Sequence, residues 1–194
     1  MDRADILKTL VKGRTLDIGC NAGDIHSLLP STELYGVDLI IGNYRKNVVK
    51  GDAQALPFKP NSFDTVVAGE LIEHLPEPEH FAAECLRILR SGGLAVVSTP
   101  NKDSLINRLF GTYWHRGHDR SSPQVHKSLF NIPELAGLFT RTGFTIDRIF
   151  CLPYDDRRSA KQAGYKWRKM RSVIHRVLPR HLQENMFVVG RKMV

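Results

Sequence analysis

The sequence predicts an α/β fold with a largely parallel sheet, on three observations. Short β-type runs alternate with helical stretches along the chain. Several of those runs are continuously apolar, such as Ala95-Val96-Val97, as strands covered on both faces require. The first run, Thr15-Leu16-Asp17-Ile18, passes directly into a small-residue turn, Gly19-Cys20-Asn21-Ala22-Gly23, and then into a helical stretch.

Taken in order, strands are expected at 15–18, 34–37, 47–49, 63–68, 93–98, 145–151 and 185–189. Helices are expected at 5–10, 24–29, 78–89, 132–142 and 159–177. The clearest helix is 78–89, where Phe81, Ala82, Cys85, Leu86 and Leu89 share one stripe. Arg87 and Arg90 close it, and Gly92-Gly93 reads as its stop before the next strand. Residues 100–128 and 153–184 exceed what a minimal alternation needs. The chain of 194 residues therefore reads as a single domain, 1–194, carrying two extra segments.

Composition narrows the class. Charged residues are 25% and hydrophobic residues 42%, which excludes a disordered or collagen-like chain. No apolar run approaches the roughly 18 residues of a membrane span. The start, Met1-Asp2-Arg3-Ala4-Asp5, lacks the basic-then-apolar layout of a signal peptide. Cys20, Cys85 and Cys151 are odd in number and far apart, so the expectation is a reduced, cytoplasmic protein with neither a disulfide framework nor a cysteine zinc site. The net charge of +8 is uneven. Residues 155–194 carry 11 Lys and Arg against 3 acids, and the rest of the chain is neutral.

The chemistry concentrates in the first half. Gly19 and Gly23 would let the backbone approach a ligand beyond the carboxyl end of the first strand. Asp38 closes the second strand, where a carboxylate can accept both hydroxyls of a ribose. This pair of features points to a cofactor containing a nucleoside. A dinucleotide would call for G-x-G-x-x-G, and position 21 is Asn. Further along come Gly51-Asp52-Ala53, Leu56-Pro57-Phe58, Phe63-Asp64-Thr65-Val66-Val67, Glu70-Leu71-Ile72-Glu73-His74-Leu75, and Leu86-Arg87-Ile88-Leu89-Arg90-Ser91-Gly92-Gly93.

With these motifs, in this order over about residues 15–150, the sequence resembles the class I S-adenosylmethionine-dependent methyltransferases, in particular those acting mainly on small molecules. The resemblance implies a Rossmann-like seven-stranded sheet, mostly parallel, flanked by helices, with its last strand antiparallel. It implies S-adenosyl-L-methionine as cofactor. Asp17, Gly19, Cys20, Asn21 and Gly23 would surround its methionine part. Asp38 would bind the ribose with Leu39 against the adenine. Asp52 would accept from the adenine amine, with Ala53 offering a backbone amide beside it, and Gly69 and Glu70 would line the methionine end. His74 would lie near the reaction site, as wall or as base. Glu73 reads either as a brace for the following helix or as a catalytic part, and Cys20 as a small filler. No metal is expected.

Within 100–128, His126 is a candidate base, together with His118, His115, Asp119 and Tyr113. His126 opens Val125-His126-Lys127-Ser128-Leu129-Phe130, which resembles the family's H-x-x-x-F-x-x-x-E-L entry to a helix, completed by Glu134-Leu135. A loop-bonding role for His126 stands beside the catalytic one. Two departures from the family pattern bear on the acceptor. Only 14 residues precede the first strand, so the usual N-terminal lid helices are expected to be short or absent, and Asp38 and Asp52 leave little room for a helix between them. Enclosure would then fall to 100–128 and 153–184, which in this fold leave the sheet on the cofactor face.

In 159–177, Ala163, Trp167, Met170, Ile174 and Val177 form one stripe with Arg158, Lys161, Arg168, Lys169 and Arg176 mainly opposite. That is either a docked helix with a solvated charged face or a surface for an acidic or lipid-linked acceptor, an anionic membrane, or nucleic acid. The turn Ala68-Gly69-Glu70-Leu71 lacks the proline motif usual where exocyclic base amines are methylated, which disfavours nucleic acid. The reading is methyl transfer by in-line displacement to a small-molecule or lipid-linked acceptor, with peripheral membrane contact through 159–177. The alternatives are an RNA methyltransferase and a non-catalytic protein that binds the nucleotide cofactor and contacts RNA or membrane. The oligomeric state is left open.

Overall fold

A computed structural model of the chain describes residues 3–20, 33–40, 47–105, 108, 127–152 and 178–194. Among them run α1 (Arg3–Leu10), β1 (Thr15–Ile18), β2 (Leu34–Asp38), β3 (Val48–Lys50), β4 (Phe63–Gly69), α2 (Pro78–Ile88), β5 (Leu89–Pro100), α3 (Ile132–Thr142), β6 (Phe144–Leu152) and β7 (Asn185–Lys192). Single 3-10 turns lie at Ile72–His74 and Arg180–Leu182. The helices expected at 24–29 and 159–177 lie outside the described residues.

The seven strands form one sheet in the order β3-β2-β1-β4-β5-β7-β6. Neighbours from β3 to β5 run parallel. Only β7 is reversed, pairing antiparallel with β5 on one side and β6 on the other. The expected Rossmann-like sheet with an antiparallel last strand is therefore present. Register fixes what lies at its edge: Ile18 sits beside Val37 and Ala68, Asp38 beside Lys50, Gly69 beside Ser98, and Pro100 and Leu152 both beside Asn185. The carboxyl ends of β1, β2, β4, β5 and β6 thus share one end of the sheet.

Helices cover both faces. On one, α1 sets Ile6, Leu7 and Leu10 with Val67, Val96 and Val189. On the other, Phe81, Ala82 and Cys85 of α2 and Leu135, Leu138 and Phe139 of α3 join Leu16, Ile18, Val66, Val97 and Val188. A fully buried side chain such as Phe81 contributes about 1.5–3 kcal/mol relative to its exposed state. The α3 boundaries have local causes. Asn131 and Glu134 form a reciprocal capping box at the N-terminus, and Gly143 ends the helix at φ 109°.

The junction of α2 and β5 differs from the expectation. The helix expected to reach 89 and stop at Gly92-Gly93 ends at Ile88, because Leu89 already pairs with Phe63 of β4. Register resumes only at Thr65 beside Leu94, so Arg90, Ser91 and Gly92 bulge out to solvent, with Gly92 at φ 78°. The glycines shape a bulge inside β5 and do not stop the helix.

Candidate functional site at the carboxyl edge of the sheet

The chain proceeds outward from β1 through β2 to β3, then returns to the other side of β1 for β4 and β5. The strand order reverses between β1 and β4, and beyond the carboxyl ends at such a switch point lies the usual ligand position in open α/β sheets. The residues leaving those two strands meet there. Gly19 has φ 78°, a conformation that only glycine adopts without strain, and a Cβ on it would lie 3.4 Å from Leu71. Its N–H donates to the Val37 carbonyl at 2.8 Å. Asp17, two residues back, is buried in β1.

Cys20 is also buried, and its position is set from below. Gly36 of β2 has no side chain, and a Cβ there would lie 2.6 Å from the Cys20 Sγ. The thiol therefore packs down onto β2, and it is the backbone of Cys20 that faces the turn. Asn21 and Gly23 lie outside the described residues, as does His126.

Asp38 ends β2 and its Oδ1 accepts from the Ile40 N–H at 3.0 Å. Beside it, Leu39 is 57% and Ile40 73% exposed. Two exposed apolar side chains thus follow the strand-end carboxylate. The Gly51 N–H donates to the Asp38 carbonyl at 3.0 Å, which brings Asp52 and Ala53 alongside. Asp52 closes a short turn of its own, accepting from the Gln54 N–H at 2.9 Å, and Ala53 is buried.

That loop is clamped by two residues of α2. Arg87 donates to the Leu56 and Phe58 carbonyls at 3.0 and 2.7 Å, while Glu84 accepts from the Leu56 N–H at 2.7 Å and pairs with Arg87 at 2.6 Å. The Arg87 bond, joined by the Leu56 N–H, outweighs partial burial and holds the Glu84 carboxyl below its ordinary range. The pattern Leu56-Pro57-Phe58 is visible in the sequence; its clamp is not, because the partners lie 28 to 31 residues away.

Past β4, Glu70 adopts φ 54°, unusual for a residue with a side chain and worth about 1–2 kcal/mol of strain. It is held by its N–H to the Ser98 carbonyl at 2.9 Å and by the Ser98 hydroxyl to its Oε1 at 3.2 Å. Gly69 precedes it at the strand end. His74, in the following 3-10 turn, has a side chain 19% exposed, with Nε2 3.9 Å from Glu73 Oε1. Glu73 is buried and accepts from the Thr99 hydroxyl at 3.0 Å.

Sequence reasoning missed Asn101. Fully buried, it donates to the His181 and Gln183 carbonyls at 2.8 and 2.9 Å, and its own N–H reaches the Glu184 carbonyl at 2.7 Å. It ties the end of β5 to the approach to β7. The signal available was a polar residue directly after the apolar run of β5 and Pro100. In the H-x-x-x-F-x-x-x-E-L motif, Phe130 and Leu135 are core residues and Glu134 is a cap. Burial pushes the Cys151 thiol up to about 11 and the Cys85 thiol higher still, which leaves both unreactive. Among the described residues no group of His, Cys, Asp and Glu could hold a metal ion.

The strand order and the single reversed strand define a Rossmann-like α/β domain. The methyltransferase domain family model matches residues 3–149, and the chain belongs to that family. Demethylmenaquinone methyltransferase of Staphylococcus aureus is 28% identical across 79% of this chain and 76% of that protein. A Mycolicibacterium smegmatis protein named "Probable S-adenosylmethionine-dependent methyltransferase" is 33% identical over 103 residues, 53% of this chain and 37% of that protein. The chain thus spans little more than a third of that relative's length. A solved S-adenosylmethionine-dependent methyltransferase from Methanosarcina mazei shares the fold at TM-score 0.66, with 16% identity and full coverage of both chains.

Proposed function

We propose that this chain is an S-adenosylmethionine-dependent methyltransferase acting on a small-molecule, lipid-linked acceptor. The observation that carries the reading is the grouping at one sheet edge of left-handed Gly19, Asp38 with its exposed apolar neighbours, and Asp52-Ala53 on the adjoining loop. Asp17, Gly19 and Cys20 would hold the methionine part, with Asn21 and Gly23 continuing the turn. Asp38 would accept from the ribose hydroxyls, Leu39 would cover the adenine, and Asp52 would accept from its amine. Gly69 and Glu70 would line the methionine end. Bound there, S-adenosylmethionine would supply a sulfonium methyl group open to in-line displacement.

The protein's task in such a reaction is alignment and exclusion of water. His74 lies at this edge within reach of Glu73 and would serve as wall or base; His126 is the second candidate base. The ends of β5 and β6 open on the same edge, which supports 100–128 and 153–184 as the acceptor's walls. A lipid-linked acceptor is favoured by two facts. The S. aureus relative is named for demethylmenaquinone, and the net positive charge of this chain lies in 155–194, most of which belongs to the proposed acceptor wall 153–184. Among the described residues no helix is long and apolar enough to cross a membrane. The proposed contact is peripheral, through 159–177, whose sequence sets basic residues opposite an apolar stripe.

Calorimetry with S-adenosylmethionine, S-adenosylhomocysteine and NAD tests the cofactor. Binding of both sulfur ligands and not NAD is expected; failure of both to bind removes the proposal. Radiolabelled methyl donor offered with prenylated hydroquinones, soluble phenols and RNA tests the acceptor class, and label transferred to RNA alone overturns the lipid-linked reading.

A further inference from the structure

The 3-10 turn Ile72–His74 touches both halves of the proposed site. Leu71, at its start, lies against Gly19 of the donor turn. Glu73, at its centre, accepts through its backbone carbonyl from the N–H groups of Lys127 at 2.8 Å and Ser128 at 3.1 Å, the point where the 100–128 segment rejoins the described chain. The side chain of Glu73 points the other way, into the protein. It is 1% exposed and takes the hydroxyl of Thr99, itself 0% exposed, at 3.0 Å. Burying a carboxylate is costly, and packing alone would favour an apolar side chain here. What the carboxylate provides is a fixed orientation: with Oε2 bonded to β5, the carbonyl of Glu73 stays aimed at residues 127 and 128.

We infer that Glu73 and Thr99 are positioning residues that couple the donor turn to the acceptor-side segment. The inference rests on the proposed function for the identity of the two sides. The path is continuous: Gly19 to Leu71, one turn to Glu73, and from its carbonyl to Lys127 and Ser128. Ligand ordering residues 19 and 71 then steadies 127 and 128, and by linkage a steadied segment favours the ligand equally. Neither Glu73 nor Thr99 needs to touch donor or acceptor for this.

Amide hydrogen exchange tests the coupling on the intact chain, with S-adenosylhomocysteine as the probe. In the native protein the ligand is expected to slow exchange at residues 19–20, 38–40 and 127–128, the last by at least fivefold. In Thr99→Val, which keeps the shape and removes the hydroxyl, protection at 127–128 should disappear while protection at 19–20 and 38–40 remains. Thr99→Ser should restore it. Without ligand, Thr99→Val should raise exchange at 127–128 about tenfold and leave β4 and β5 unchanged. Unaltered exchange at 127–128 in the valine variant overturns the inference, as does a rise spread evenly over the sheet. Absence of protection at 19–20 in the native protein instead counts against the cofactor assignment, and the ligand-free comparison still decides the coupling.

Discussion

The carbonyl of Asp38 accepts the N–H of Gly51 at 3.0 Å, so two acidic residues separated by 14 positions, Asp38 and Asp52, stand on neighbouring strand ends. The two ends are thereby held in one frame, and changes at either should be read by the same ligand.

Asp38→Ala is expected to weaken S-adenosylhomocysteine binding by about 10- to 150-fold, the range for a hydrogen bond to a charged group of about 1.5–3 kcal/mol. The fold should be retained, the side chain's bond to Ile40 being local and exposed. Calorimetric titration gives the affinity and circular dichroism the fold. Unchanged affinity removes the ribose role.

Gly19→Ala should cost about 1–2 kcal/mol of stability through its φ of 78° and should impair cofactor binding further by moving the turn. Urea unfolding measures the first and calorimetry the second. The contact with Leu71 is ordinary at 3.4 Å, so Gly19→Ala/Leu71→Ala should not recover the loss.

The clamp on the Asp52 loop makes stability depend on acid. Glu84 has its carboxyl held low in the folded protein, chiefly by Arg87, so the folded state binds fewer protons than the unfolded one as pH falls below about 4.5. Its contribution is complete above that value and is lost as pH drops through the lowered one. Asp64 and Glu134 act in the same sense. Burial opposes the lowering at Asp64, where Arg90 and the Arg14 N–H prevail; at Glu134 the bond to Lys102 leads. Urea midpoints between about pH 3 and 7 should fall less steeply with acid in Glu84→Gln than in the native protein. At neutral pH that variant should be less stable by about 1–3 kcal/mol, because its neutral amide pairs less strongly with Arg87.

Replacing Arg168, Lys169 and Arg171 by alanine should weaken binding to vesicles containing phosphatidylserine by roughly a hundredfold, at about 1 kcal/mol per charge near an anionic surface. Raising salt should narrow the gap between variant and native protein. Sedimentation with vesicles at two salt concentrations measures both. Equal partitioning of the two proteins counts against peripheral contact through this segment.

The sequence made the strands and the left-handed turn at Gly19 legible because their signals are local: apolar runs and a glycine at a strand end. The α3 boundaries fell where expected for the same reason, since Asn131, Glu134 and Gly143 act within one turn of the ends they set. The end of α2 did not, because Leu89 is decided by its pairing with Phe63, 26 positions earlier. Asn101 was invisible on similar grounds, with side-chain partners 50 to 82 residues away. The direction of the Cys20 thiol depends on the absence of a side chain at Gly36, a fact about another strand. What reads from sequence here is chemistry that a segment carries by itself, and what does not is chemistry that two segments make together.

The reversed strand sets the order in which the fold can be completed during synthesis. In the described sheet, β6 is the outer strand and is hydrogen-bonded only to β7, which follows it by more than 30 residues. When β6 leaves the ribosome it has no strand to pair with, whereas β1 to β5 can already assemble. A nascent chain arrested before Asn185 should therefore carry a five-stranded core with an unpaired, aggregation-prone edge on β5 and a loose β6. Emergence of the segment 185–192 from the ribosome is the event that closes the gap, seating β7 between its two partners at once.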